Sequence, residues 1–182
     1  QKRDSGSILG ALKRMVTGES FFLNHFTPSG EGGEVYLGTV LAGDMMEYQL
    51  DGPGLLVQGG SYVASAPSVN MDIQWQGLGK TFFSGESMFL IHLSGNGPVI
   101  FNSFGAIYPI QVNGEYIVDT GHIVAFEESL NYVIEKAGGS WLSAILGGEG
   151  LVCKFQGQGT VWCQSHNAGS FGQSLGPGLK HQ

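Results

Sequence analysis

An all-β fold, a β-sandwich of two mainly antiparallel sheets, is what this 182-residue chain predicts. Three observations lead there. A short phrase occurs three times in order along the chain. Glycine occurs 31 times, far above the usual ~7%, and sits between runs of Val, Ile, Phe and Tyr, as the turns of many short strands do. No segment carries an apolar period long enough for a long helix.

The recurring phrase is Gly18-Glu19-Ser20-Phe21-Phe22-Leu23-Asn24-His25, then Gly85-Glu86-Ser87-Met88-Phe89-Leu90-Ile91-His92, then Gly148-Glu149-Gly150-Leu151-Val152-Cys153-Lys154-Phe155. The starts are 67 and 63 residues apart. Repetition at this period predicts internal pseudo-threefold similarity within one domain over residues 1–166. Each copy follows an apolar lead-in: Ile8 to Val16, Leu78 to Phe83, and Trp141 to Leu146. The glycine before each Glu suits a turn or helix C-cap.

Each copy then reads as strand, Gly turn, strand, which predicts three hairpins. Their second strands are Gly33–Leu37, Val99–Ser103 and Thr160–Gln164. A second repeated element lies between: Leu56 to Ala64 resembles Ile117 to Ala125, with Val57, Gly60 and Ala64 matching Val118, Gly121 and Ala125. Strands are expected to follow at Val69–Trp75 and Leu130–Lys136. Residues 167–182 form a Gly/Ser-rich, weakly patterned tail.

Eight Lys and Arg stand against 15 Asp and Glu, a net charge of −7. Such a chain repels a phosphate backbone, and the small cluster Lys2, Arg3, Lys13 and Arg14 is too thin to reverse this, so no nucleic-acid partner is expected. No run approaches the ~20 apolar residues of a membrane span. The chain opens on Gln1 rather than Met, which points to residues upstream of it. Cys153 and Cys163 flank the third predicted turn symmetrically; a disulfide across two strands and a pair of small apolar side chains in a cytoplasmic protein both fit that spacing.

Together the phrases around Gly18, Asp51 to Gln58, Phe83 to Glu86, Asp119 to Phe126 and Gly150 to Trp162 form an ordered set. It resembles the family named for altered inheritance of mitochondria, whose bacterial members were long a domain of unknown function. The resemblance covers residues 5 to 166. It implies a β-sandwich like the subunit of the tryptophan RNA-binding attenuation protein. It carries no catalytic residues onto this chain, and fold kinship with an RNA-binding protein is no guide to function.

The candidate sites are few. His25 and His92 hold the same place in copies one and two, where copy three has Phe155; two imidazoles begin a metal site but need a third ligand. Glu19, Glu86 and Glu149 recur with the phrase and read as turn-fixing acceptors. Asp119, His122 and Ser103 fail as a hydrolase triad, since the first two point in different directions and no nucleophile elbow is present. No metal, cofactor or catalytic residue is therefore assigned. Exposed lead-ins (Phe82, Phe83, Trp141 and Leu142 among them) fit subunit contacts in a closed homo-oligomer, a membrane surface, or plugs for the ends of their own sandwich. The expected function is that of a cytoplasmic, non-enzymatic structural or interaction domain acting as a homo-oligomer. A peripheral membrane protein, or a metal site or enzyme near His25 and His92, is the alternative.

Overall fold

The computed structural model describes residues 23–28, 30, 32–75, 89–136 and 151–178. It divides into two units, Gln1–Leu37 and Gly38–Gln182. In the first, the described residues adopt neither helix nor strand and are exposed. The strand expected over Gly33–Leu37 does not form. A strand needs a second strand to satisfy its N–H and C=O groups, and the described part of this unit offers none. The three lead-ins, the phrase residues Gly18–Phe22, Gly85–Met88 and Gly148–Gly150, and the basic cluster of the first 14 residues lie outside the described residues.

The second unit is an all-β sandwich. Its described strands are β1 (Met45–Leu50), β2 (Leu55–Gln58), β3 (Tyr62–Ser65), β4 (Val69–Trp75), β5 (Phe89–Gly95), β6 (Gly97–Asn102), β7 (Ile107–Asp119), β8 (Ile123–Glu127), β9 (Asn131–Lys136) and β10 (Leu151–Gln164). A three-stranded sheet runs β1-β6-β3. A seven-stranded sheet runs β4-β5-β2-β8-β10-β7, with β9 also on β10. All these strand pairings are antiparallel. The strands expected at Val69–Trp75 and Leu130–Lys136 appear as β4 and β9.

The predicted hairpins are corrected. β5 and β6 belong to different sheets, so Gly95-Asn96-Gly97 hands the chain from one sheet to the other instead of reversing it. Gly95 and Gly97 take φ of 106° and 147°, values open to glycine but not to most side chains. In the third copy the chain does not break at all: Gly157-Gln158-Gly159 lies inside the continuous strand β10. Each stretch finds its ladder partners elsewhere, so neither folds back on the other. This also removes the disulfide reading. Cys153 and Cys163 lie ten positions apart on one strand, roughly 30 Å at ~3.3 Å per residue, and both are free and buried.

Residues 45–102 and 107–164 share one strand plan. Met45 opposite Asn102 in β1/β6 is matched by Ile107 opposite Gln164 in β7/β10. Tyr62 opposite Phe101, Ala64 opposite Ile100, and the register shift between Tyr62 and Ala64 are matched by Ile123, Cys163, Ala125, Trp162 and a second shift. Asn70 opposite Ser94 becomes Asn131 opposite Gln156. β7 therefore performs in one strand what β1 and β2 do in two, and β10 what β5 and β6 do. Side chains repeat with the backbone: Ser68 Oγ donates to Asn96 O at 2.6 Å, and Ser129 Oγ to Gln158 O at 3.0 Å. The halves join through β2 and β8, with Leu56 opposite Phe126.

The core follows the alternation of β10. Cys153, Phe155, Val161 and Cys163 pack on Leu56, Leu90, Ile123 and Phe126, and Phe126 meets Phe155 edge-on at 4.9 Å. Trp162 emerges on the opposite face of the strand and meets Tyr48 at 5.2 Å and Phe101 at 5.9 Å on the smaller sheet. Each such side chain stabilises the fold by roughly 1.5–3 kcal/mol when buried. The tail carries a helix, α1 (Ala168–Leu175), whose N-cap Asn167 accepts from Ser170 N. Asn167 supplies the cap, and Phe171 is set edge-on to Phe104 at 5.2 Å.

Candidate functional site

A cavity of about 450 Å³ opens where the turns and strand ends of the two halves meet. From the first half come Gln58, Ser61 and Asn102; from the second come Thr120, Gly121 and Gln164. The start of α1 and the segment before β1 close its sides, with Leu41 and Phe104 as apolar walls. None of the described residues lining it is charged.

One set of polar groups holds the frame. Gln164 accepts from Phe104 N at 2.8 Å through Oε1 and donates to Gly121 O at 2.9 Å through Nε2. Thr120 Oγ1 donates to Leu151 O at 3.0 Å. Ser103 Oγ donates to Gly105 O at 2.7 Å and lies 3.3 Å from Asp44 N, which donates to it. The segment before β1 is tied down by Gly105 N to Ala42 O at 2.9 Å and Asp44 N to Gly105 O at 3.0 Å. Gly43 is required there, since a Cβ would stand 1.9 Å from Ser103 O.

A second set is unspent. Asn102 is 9% exposed and Ser61 5%, and their backbones are joined, Asn102 N to Ser61 O at 2.8 Å. Neither side chain hydrogen-bonds to another described residue.

The sequence-derived candidates fall elsewhere or are already engaged. His92 Nε2 lies 3.2 Å from Glu128 Oε2, and the same oxygen accepts Gly54 N at 2.8 Å. The hydrogen bonds from His92 and from Gly54 hold the Glu128 carboxyl below the usual carboxylate range. Glu128 belongs to the second half and His92 to the first, so the pair is a clasp between halves. His25 is exposed in the first unit. Among the described residues no three His, Cys, Asp or Glu side chains group as metal ligands.

The expected equivalence of His92 with Phe155 is also corrected. Strand register sets His92 against Lys154, one residue earlier, because Leu56 opposite His92 corresponds to Ile117 opposite Lys154. Both are paired to carboxylates, His92 from a part-buried position: Lys154 Nζ is 2.9 Å from Glu115 Oε2, and that hydrogen bond lowers the Glu115 pKa and raises that of Lys154. Phe155 is fully buried.

Asp119 Oδ1 accepts Gly121 N at 2.8 Å and caps the 3-10 turn Thr120–His122. His122 Nδ1 bonds Gln164 O at 2.8 Å, and Ser103 bonds its own turn. The three share a neighbourhood without forming a relay. Glu19, Glu86 and Glu149 lie outside the described residues. Sequence reasoning missed Asn102 and Gln164. The signal was a carboxamide at one repeat position, in Phe101-Asn102-Ser103 and Cys163-Gln164-Ser165.

A family model described as mitochondrial biogenesis AIM24 matches residues 1–166. An uncharacterized protein of Streptococcus pyogenes serotype M6 is 31% identical over 173 residues, spanning 93% of this chain and 69% of that protein. A Streptococcus pyogenes protein solved by X-ray crystallography in a structural genomics effort superposes with a TM-score of 0.72 at 26% identity, covering 97% of this chain and 79% of that one.

Proposed function

The chain belongs to the mitochondrial biogenesis AIM24 family, and from that premise we propose that it is a non-enzymatic structural or interaction domain that assembles with copies of itself in the cytoplasm. The observation that carries this reading is the way the two halves join. β2 of one pairs edge to edge with β8 of the other. The equivalent positions, β3 in the first half and Tyr116–Asp119 of β7 in the second, stand at sheet edges among the described residues. An edge built to pair with the complementary edge of a like unit extends head to tail, and closes into a ring when the rotation allows. The engagement of Asp119 and His122 in one turn and of Ser103 in another, each through its own hydrogen bonds, supports a scaffold role over a hydrolytic one.

The test is mass in solution by light scattering on freshly purified protein. A discrete multiple of 19.3 kDa is the expected result. A clean monomer across a wide concentration range would overturn it and turn attention to a membrane partner, read by liposome sedimentation. Among the described residues no helix is long and apolar enough to cross a membrane.

A further inference from the structure

The cavity lies between the two halves, at their strand ends. We infer that it binds an uncharged, planar heterocycle of the nucleobase type, free or as a nucleoside, gripped by the Asn102 and Gln58 carboxamides and the Ser61 hydroxyl. Its volume of about 450 Å³ falls within the ~300–1,000 Å³ of small-molecule sites. Its frame is held by Gln164, Thr120 and Ser103, whose hydrogen bonds stay within the protein. The cavity is therefore formed before anything enters it.

A polar side chain that lines a cavity with its hydrogen-bonding groups unspent can turn them to a ligand. Asn102 and Ser61 are more than nine-tenths buried, make no side-chain hydrogen bond to a described residue, and line the cavity. Gln58 adds a second carboxamide from the end of β2. A carboxamide presents one acceptor and two donors side by side in a plane. Its complement is an edge carrying a donor next to an acceptor, as nucleobases do, and Asn and Gln pair with such edges in two-bond fashion. Phe104, Leu41 and the fully buried Ile123 offer apolar surface for the ring.

Charge selects against anions. Among the described residues no Lys, Arg or His lines the cavity, the chain carries −7 overall, and Asp119 and Asp44 stand in the flanking turns. An uncharged base or nucleoside avoids that repulsion, whereas a polynucleotide does not.

The experiment is ligand-observed saturation-transfer NMR, followed by calorimetric titration, on the whole chain with adenosine, uridine and, for comparison, glucose. Saturable binding of a nucleoside with none of glucose is expected. Asn102→Ala and Gln58→Ala are each expected to weaken it about tenfold, the effect of one or two lost hydrogen bonds, without lowering the melting temperature. Gln58→Ala, at a half-buried position, carries the test if Asn102→Ala fails to fold. No saturation by either nucleoside up to about 1 mM, equal binding of glucose, or indifference to Gln58→Ala overturns the assignment. None of these outcomes depends on the subunit number.

Discussion

Thr160 in β10 donates its backbone N–H to Glu127 Oε2 at 2.8 Å. On this edge of β10, the ladder with β9 ends at Gln156 and the ladder with β8 resumes at Val161. The carboxylate stands in for a strand carbonyl across that gap. In the other half the equivalent residues are Pro98 and Ala66, joined by Ala66 N to Pro98 O at 3.0 Å. Proline has no N–H to satisfy, so alanine suffices. The two sequence differences between halves are one physical solution written two ways.

Replacing Glu127 with Ala removes that acceptor from a donor whose residue is 9% exposed. We expect a loss of about 1–3 kcal/mol, measured by urea unfolding. Glu127→Gln keeps an acceptor and should lose less. Equal losses for the two variants would show that the carboxylate does not fill the ladder gap.

Gly54 sits where a Cβ would lie 2.3 Å from Glu128 Oε2, 2.5 Å from His92 Nε2 and 3.0 Å from Leu93 O. Gly54→Ala should therefore cost about 1–3 kcal/mol through overpacking. In a His92→Ala, Glu128→Ala background the added penalty should shrink, because two of the three obstacles are gone. A double-mutant cycle that closes additively would refute the clasp as the cause.

Burial pushes the Cys153 thiol up to about 12 and the Cys163 thiol up to about 11. The thiolate is the reactive species, so both should resist a maleimide or Ellman-type reagent at pH 8 in the folded protein and react in denaturant. Rapid labelling of two thiols under native conditions would contradict their placement in the core.

The Glu128 carboxyl is held below its ordinary range, first by the His92 hydrogen bond and then by Gly54 N–H. A depressed folded-state pKa gives stability that is present above the unfolded carboxylate value and lost as pH falls through the folded one. Wild type should melt above Glu128→Gln at neutral pH. The two curves should converge below about pH 4. A gap of constant size from neutral to acid pH would rule out this linkage.

Much of the local plan was legible in the sequence. The Val57, Gly60, Ala64 set and its match at Val118, Gly121, Ala125 located two strands and an intervening turn in each half, because alternation and turn glycines are local requirements. Val69–Trp75 was read to its ends. The repeat phrase marked the entry of β5 and β10, though one residue out of register at its third copy, since Phe155 and His92 hold the same place in the phrase while the ladders match His92 to Lys154.

The tertiary structure decided where each strand pairs. A Gly-x-Gly between two apolar runs reads locally as a reversal, yet Gly95-Asn96-Gly97 changes sheets and Gly157-Gln158-Gly159 runs straight on, because partners distant in the chain occupy both edges. The same long-range pairing sets two halves against each other and opens the cavity at Ser61, Asn102 and Gln164. These residues have no unusual spacing or charge. Composition and hydropathy determine that the chain forms short strands with a buried apolar face; which polar side chains come to line a cavity depends on how distant strands meet, and that is fixed only when the fold closes.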